Sequence, residues 1–285
     1  MILSIVIVNW NTKDYLQACL TSIQACPPSK KHEVIVVDNA STDGSAKMVK
    51  SEFPEVTLMA GKKNVGYAKG NNKAIKKADG DYILLLNPDT EVSPGAIDSL
   101  LAFARSHPDA AAVGCRLISP DGSIQRSCRS FPDPKGVLFE WLKLSSLFSR
   151  SRYFGSYRMT YFHYDCDMEV DQPMGSCLLL NRQAIKDVGY FDEDFPIFFN
   201  EVDWCYRAKQ RNWRIYFTPD AEVMHFGGAS TGLVKRKMAV ESREALRRFY
   251  EKHYKSRMSP RLYALIMKAV DISTYLASRS QPVDK

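Results

Sequence analysis

The chain has 285 residues, 45% of them hydrophobic and 25% charged, and a formal net charge of +7. This is the composition of a globular protein with room for one extended α/β domain or two intimate ones, and the sequence holds no internal repeat or low-complexity tract. No run approaches the ~18 apolar residues of a membrane-spanning helix, and Met1-Ile2-Leu3-Ser4 leads into a strand pattern instead of a secretory signal, so the expectation is a cytoplasmic or membrane-peripheral protein.

In chain order, Leu3 to Val8 is short, rich in β-branched residues and bounded by polar ones, which predicts a strand covered on both faces. Tyr15, Leu16, Cys19, Leu20 and Ile23 then keep a helical period over Asp14 to Gln24. Val34 to Val37 repeats the strand pattern, and Ser41-Thr42-Asp43-Gly44 opens a helix to about Phe53, with Asp43 better read as a cap than as a ligand. Val56 to Met59 predicts a further strand, Asn64 to Asn72 a turn into a helix over Asn71 to Ala78, and Tyr82 to Leu86 a third buried strand. A helix from about Ala96 to Ser106 and a strand from Ala111 to Cys115 continue the alternation expected of a doubly wound sheet. Residues 116 to 168 break it: Phe131-Pro132-Asp133-Pro134 interrupts structure, and aromatic and aliphatic residues such as Phe139, Trp141 and Leu142 mix with Lys143, Arg150, Arg152 and Arg158. One more strand over 174 to 184 and a helix from Val202 to Arg211 follow, and helical spacing returns at Leu246, Phe249, Tyr250 and Tyr254 and again at Leu262, Leu265, Ile266, Ala269 and Val270. Seven scattered cysteines, with no CxxC pair, fit neither a zinc site nor a disulfide framework and read as reduced thiols.

Three of the buried strands end in polar clusters: Asn9-Trp10-Asn11, Asp38 through Ser45, and Asn87 through Glu91. In a right-handed parallel sheet these lie along one edge, where open α/β sheets bind ligands. Two clusters carry acids, a pattern suited to a nucleotide and a divalent cation whose charge neutralises a diphosphate.

The segments SIVIVNWN (4–11), VIVVDNASTDGS (34–45), NVGYAKGNN (64–72), LLLNPDTEV (84–92), MGSCLLLNRQA (174–184), GYFDEDFPIFFNEVDWCYRAK (189–209) and VMHFGGAST (223–231) resemble, in order, the inverting family 2 glycosyltransferases. The likeness covers roughly residues 1 to 232 and is strongest to the bacterial rhamnosyltransferase-like branch, which builds surface polysaccharides. It implies a glycosyltransferase A-type (GT-A), Rossmann-like, mostly parallel sheet with helices on both faces and a C-terminal helical extension. It also implies a nucleotide-sugar-binding half (1–115) and an acceptor-binding and catalytic half (116–232); charge and helical spacing add a basic amphipathic helical tail (233–285). Implied partners are a nucleotide-sugar donor, with dTDP-rhamnose first and a UDP-hexose or galactofuranose donor open, and a saccharide or polyprenyl-linked acceptor. The implied cofactor is Mg²⁺ or Mn²⁺.

By the same resemblance Asp89 is a metal ligand, in a DxD-like position whose first acid is here Asn87; Asn87 then contacts ribose or diphosphate. Asp38 matches a clamp on nucleobase or ribose, and Asn9 and Asn11 would edge the base pocket. Asn64, Gly66, Lys69 and Asn71 form a turn entering a helix, a place where backbone amides attract phosphate. Glu201 is the expected general base, since the family carries two acids where this chain has Asn200-Glu201. Asp203 fits a structural or acceptor-site role. His225 reaches metal or diphosphate, or is a satisfied core histidine. Gly175 and Ser176 line a sugar or acceptor pocket, or serve packing.

Gln210-Arg211-Asn212-Trp213 does not reproduce the QxxRW motif of processive synthases, so the expectation is a non-processive enzyme. A sugar nucleotidyltransferase would start with a GxGxR-type loop where this chain has Asn9-Trp10-Asn11, and a non-catalytic nucleotide-sugar-binding scaffold would account for the missing acids at Asn87 and Asn200. Residues 233 to 285 hold 13 basic residues against 5 acidic ones. With two amphipathic patterns, this tail either lies on an anionic membrane, at the cytoplasmic face of the inner membrane, or packs on the catalytic domain. It lacks a recognised nucleic-acid-binding module, and no nucleic-acid partner is expected.

Overall fold

A computed structural model describes residues 3–228 and 235–279. The first half runs β1 (Leu3–Asn9), α1 (Lys13–Ala25), β2 (His32–Asp38), α2 (Ser45–Glu52), β3 (Thr57–Ala60), α3 (Tyr67–Lys77), β4 (Tyr82–Leu86), β5 (Thr90–Val92), α4 (Ala96–Ser106) and β6 (Ala110–Ile118). Then come β7 (Cys128–Arg129), α5 (Pro134–Trp141), α6 (Leu144–Leu147), β8 (Met168–Glu169), β9 (Gln172–Pro173), β10 (Cys177–Asn181), α7 (Arg182–Val188) and α8 (Asn200–Lys209). The last elements are β11 (Arg214–His225), α9 (Lys235–His253) and α10 (Pro260–Arg279).

The main sheet has the order β3-β2-β1-β4-β10-β6-β11-β5, with β8 added on β11. Strands β3, β2, β1 and β4 are parallel, and β10 enters antiparallel between β4 and β6. Because side chains alternate along a strand, Leu3, Ile5 and Ile7 face a core shared with α1, α2 and α4, whereas Val6 and Val8 face one shared with α3, α7 and α8. Both faces of the sheet are thus covered, which is why its strands read as continuous apolar runs. This is the GT-A architecture expected above, with the C-terminal helices appended.

Three elements depart from the sequence pattern. Helix α3 starts at Tyr67, four residues before the expected Asn71, because Gly66 takes the left-handed φ of 86° that turns the chain into it. A Cβ on Gly66 would stand 2.9 Å from the carbonyl oxygen of Pro196, so the turn tolerates no side chain there. Strand β11 was not expected as a strand; Pro219 and Asp220 interrupt its apolar alternation, and the register to β6 shifts between Thr218 and Glu222, as at a bulge. The interrupting segment 116–168 supplies α5, α6 and β7, with α5 started by Asp133, whose side chain accepts the Gly136 amide at 2.7 Å.

The C-terminal helices build a third core. Ala245, Phe249 and Tyr250 of α9 and Ile266, Met267 and Val270 of α10 pack with Val202 and Tyr206 of α8, Phe195, and Val137 of α5. Phe249 is fully buried and Leu246 partly so, whereas Leu262 remains 43% exposed.

Candidate active site

The C-terminal ends of β1, β2 and β4 adjoin, since Asn9 pairs with Asp38 and Ile7 with Leu86. They open on a cleft of about 1160 Å³, enough for a nucleotide sugar with an acceptor beside it. Of the residues singled out in the sequence, Asn64, Gly66, Lys69, Asn87, Asp89, Gly175, Ser176, Glu201 and His225 line it.

Asp89 follows β4 and is brought to His225 by strand register. Residue Thr90 pairs with His225 in the β5–β11 ladder, and the Asp89 carbonyl accepts the Phe226 amide at 2.9 Å. His225 Nε2 then lies 3.6 Å from Asp89 Oδ1. The opposite ring nitrogen, Nδ1, is 2.8 Å from Gln125 Oε1, while the Gln125 amide nitrogen donates to the His225 carbonyl at 2.7 Å. That second bond fixes which way the amide points, so its oxygen faces Nδ1. In the neutral imidazole Nδ1 therefore carries the proton and Nε2 presents its lone pair toward the carboxylate, an assignment that follows from the hydrogen bonds. Two electron-pair donors converging in a ligand cleft, with the histidine oriented from behind, fit a divalent cation. Among the described residues no group of three or more His, Cys, Asp and Glu side chains forms a metal cage; a hard cation at a nucleotide site takes its remaining oxygens from phosphates and water.

Glu201 stands in the first turn of α8. The helix is entered through Phe199, a bulky residue held at φ 66°, an uncommon conformation of the kind that collects at functional sites. Burial raises the Glu201 carboxyl to a pKa of about 6, against opposing pulls from its own backbone amide and from Arg129. Gly175 backs it: a Cβ built there would lie 3.7 Å from Glu201 Cγ. The Tyr67 hydroxyl donates to the Gly175 carbonyl at 3.0 Å, and burial, then the Glu201 and Asp89 charges, push its own pKa up. On the cleft floor, Asn87 Nδ2 donates to Ser176 Oγ at 3.3 Å and its backbone amide to the Ser176 carbonyl at 2.8 Å.

Five of the expected site residues do not line the cleft, and each has partners inside the protein. Asn9 Nδ2 donates to Asp38 Oδ1 at 3.0 Å and to Ser41 Oγ at 3.2 Å, and Asp38 Oδ2 accepts the Ser41 amide at 3.0 Å. Asn11 Oδ1 accepts the Thr42 amide at 2.7 Å. These bonds shape the β1 and β2 loops, and it is Trp10 and Asn39, their neighbours, that face the cleft. Asn71 turns its amide back to the Tyr67 carbonyl at 3.1 Å. Asp203 is fully buried and bonded to Arg207, Lys252 and His253, the structural one of its two expected roles. Asp43 accepts the amides of Lys13 and Ser45, tying α1 to the loop before α2.

The α3 N-terminus also differs from expectation. The amides of Tyr67 and Ala68 donate to the Pro196 carbonyl at 2.6 and 3.1 Å, and Asn64 Oδ1 accepts the Gly66 amide at 2.9 Å. Donors that would otherwise draw phosphate are satisfied by the chain itself. Lys69, in the same turn, pairs with Glu193 at 2.7 Å.

Sequence reasoning missed Gln125, Tyr67, Arg129 and the α9 residues Lys237 and Glu241, which also line the cleft or orient its groups. Tyr67 lay within a quoted segment; Gln125 acts on a histidine 100 positions away, and no local signal marks it. Of the VMHFGGAST segment, Ala229 to Thr231 lie outside the described residues.

The parallel sheet, its acidic strand tip and the cleft across it define a GT-A glycosyltransferase. In keeping with this, the fold matches a mannosyltransferase from Pyrobaculum calidifontis solved with GDP-Man and Mn²⁺ (TM-score 0.60, 16% identity, covering 97% of this chain and 71% of that one). It also matches residues 1–349 of TarS from S. aureus (TM-score 0.57, 18% identity, covering 98% and 81%). The family model of Glycosyl transferase family 2 matches residues 4–189, and the chain belongs to that family. It is 30% identical over 243 residues, 81% of this chain and 78% of the relative, to the N-acetylglucosaminyl-diphospho-decaprenol L-rhamnosyltransferase of Mycobacterium tuberculosis. It is 24% identical over 229 residues, 78% of this chain and 66% of the relative, to the low-salt glycan biosynthesis hexosyltransferase Agl10 of Haloferax volcanii.

Proposed function

We propose that the protein is a non-processive inverting glycosyltransferase that moves rhamnose from dTDP-rhamnose to a saccharide carried on a polyprenyl diphosphate. The observation that carries the reading is Glu201: a carboxylate inside the cleft with a pKa near 6, able to accept a proton at neutral pH. The mycobacterial relative, named for a rhamnosyl donor and a diphospho-decaprenol acceptor, supports the choice of substrates.

In this mechanism the acceptor hydroxyl attacks the anomeric carbon from the face opposite the diphosphate. The bond from that carbon to the diphosphate oxygen breaks, and the hydroxyl proton passes to Glu201. The transition state has oxocarbenium character, so positioning and charge stabilisation supply most of the rate. Asp89 and His225 would hold a Mg²⁺ or Mn²⁺ ion, which stabilises the leaving diphosphate. The Mn²⁺ in the mannosyltransferase complex supports the choice of cation. Asn87 and Ser176, bonded to each other, form the floor on which the donor lies. Tyr67 holds the Gly175 carbonyl and thereby the wall beside the base. A lipid-linked acceptor puts the reaction at the cytoplasmic face of a membrane.

The test is nucleotide release from a panel of dTDP-, UDP- and GDP-sugars, with and without Mn²⁺ or Mg²⁺, in the presence of a polyprenyl-diphosphate saccharide. Metal-dependent release of dTDP with transfer of rhamnose supports the reading. Turnover with a UDP- or GDP-sugar alone changes the donor, and binding without turnover of any donor favours the scaffold.

A further inference from the structure

The C-terminal half of α9 and helix α10 use their basic residues in different ways. On α9, Arg247 pairs with Glu251 and Asp271, Arg248 with Glu241, and Lys252 with Asp192 and Asp203. On α10 the basic residues are Arg261, Lys268 and Arg279; among the described residues the first two make no ion pair, and Arg279 lies over the Tyr275 ring at 4.5 Å. The one acid of α10, Asp271, is taken by Arg247 at 2.7 Å.

Helix α10 is also apolar on two sides. Ile266, Met267 and Val270 face the protein and are at most 8% exposed. Leu262, Leu265, Ile272 and Leu276 fall on a second stripe at 3.6 residues per turn and are 43%, 65%, 53% and 62% exposed. Arg261, Lys268 and Arg279 run along one edge of that stripe by the same periodicity. Helix α5 touches the core under α10 through Val137, and its last residue Trp141 and the following Leu142 and Leu147 are exposed. A stripe of exposed apolar residues such as that along α10 marks an interaction site.

We infer that the exposed stripe of α10 inserts into an anionic lipid surface, its apolar residues entering the acyl boundary and its basic edge meeting the headgroups. The combination of an apolar face and a basic flank is that of an interfacial helix. A second copy of the chain suits the stripe less well. An antiparallel twofold pairing sets the basic edge against itself, and α10 has no free acid to offer in either orientation. The inference deepens the proposed function by naming how the enzyme reaches a lipid-linked acceptor, yet lipid binding is read without donor, acceptor or turnover.

The experiment is co-sedimentation of the full chain with phosphatidylcholine vesicles and with vesicles containing phosphatidylglycerol, at low and high salt. The chain should sediment with the anionic vesicles at low salt and be released by salt. The triple variant Leu265→Gln, Ile272→Gln, Leu276→Gln should bind at least about tenfold more weakly, with its thermal midpoint and donor hydrolysis kept. The triple variant Arg261→Gln, Lys268→Gln, Arg279→Gln should lose the preference for anionic lipid. A full chain that stays in the supernatant at low salt overturns the inference, as does undiminished binding by the leucine-and-isoleucine variant. A dimer in sedimentation velocity that this variant dissolves also overturns it, and assigns the stripe to a second copy.

Discussion

His253 of α9 places Nε2 2.7 Å from Oδ1 of Asp203, two residues after Glu201 on α8, so the C-terminal helix is bonded directly to the helix that carries the proposed base. Lys252 meets the same oxygen at 2.7 Å, and Arg207 meets Oδ2 at 2.8 Å. What reads in sequence as a basic appendage is, in α9, part of the catalytic domain.

Burial by itself would raise the pKa of Asp203; the His253 hydrogen bond and the Arg207 and Lys252 charges instead hold it at about 2. The folded value is below the unfolded one, so this group stabilises the fold above about pH 4 and loses that contribution as pH falls toward 2, for a total of about 2 kcal/mol. Asp203→Asn should remove that acid dependence from a plot of thermal midpoint against pH. It should also destabilise at neutral pH by about 3 kcal/mol, because Arg207 and Lys252 are left facing a neutral group. An unchanged midpoint at pH 7 would refute the clamp.

Glu201 has the opposite sign. Its folded pKa, about 6, is above the ordinary carboxyl value because burial disfavours the anion. Its cost to stability therefore appears as pH rises through 6, and Glu201→Gln should raise the thermal midpoint at pH 7.5 by the equivalent of roughly 1–2 kcal/mol. The same variant should lower kcat on the order of 10²- to 10⁴-fold with donor affinity kept. Wild-type kcat/KM should fall below about pH 6, the pH at which the base protonates. Should Asp203→Asn lose kcat with a normal midpoint while Glu201→Gln stays active, the base is the other acid.

Asp89→Ala should abolish metal-dependent turnover with the fold kept, since the β5–β11 ladder and the Phe226 bond to the Asp89 carbonyl are made by the backbone. Gln125→Leu is the subtler variant. It frees the His225 ring from the bond that fixes its tautomer and should weaken Mn²⁺ binding by about 10–100-fold while leaving the midpoint within a few degrees. Manganese titrated by electron paramagnetic resonance in the presence of dTDP measures both. Equal Mn²⁺ affinity in wild type and Asp89→Ala would remove Asp89 from the cation site.

Truncation after Gly232 should yield an aggregating or strongly destabilised protein, because it strips Phe249 and Tyr250 from the third core and removes Lys237 and Glu241 from the cleft wall. A soluble truncated chain with a cooperative melt near that of the full protein would show that α9 is dispensable.

The sheet was legible in the sequence because its strands are buried on both faces, which forces unbroken β-branched runs at Leu3 to Val8, Val34 to Val37 and Tyr82 to Leu86. The acids at the ends of those runs marked the ligand edge for the same local reason. The strand β11 escaped because Pro219 and a register shift interrupt its alternation, and with it went the reason Asp89 and His225 meet. That meeting depends on the β5–β11 register, across 136 residues of chain, and no local pattern encodes it. Which strand-tip side chains face the cleft was likewise a tertiary matter: Asn9 and Asp38 satisfy each other, since a buried polar group must find a partner, and Trp10 and Asn39 are left at the surface of the site. The sequence by itself determined the family of folds, the candidate base and the segregation of basic charge into the tail. Only the tertiary structure decided that burial raises the Glu201 carboxyl toward neutral pH and that the basic residues in the C-terminal half of α9 are taken up in ion pairs while Arg261 and Lys268 of α10 are not. Burial and charge pairing depend on which distant residues the fold brings together, and chain-local patterns carry no record of that.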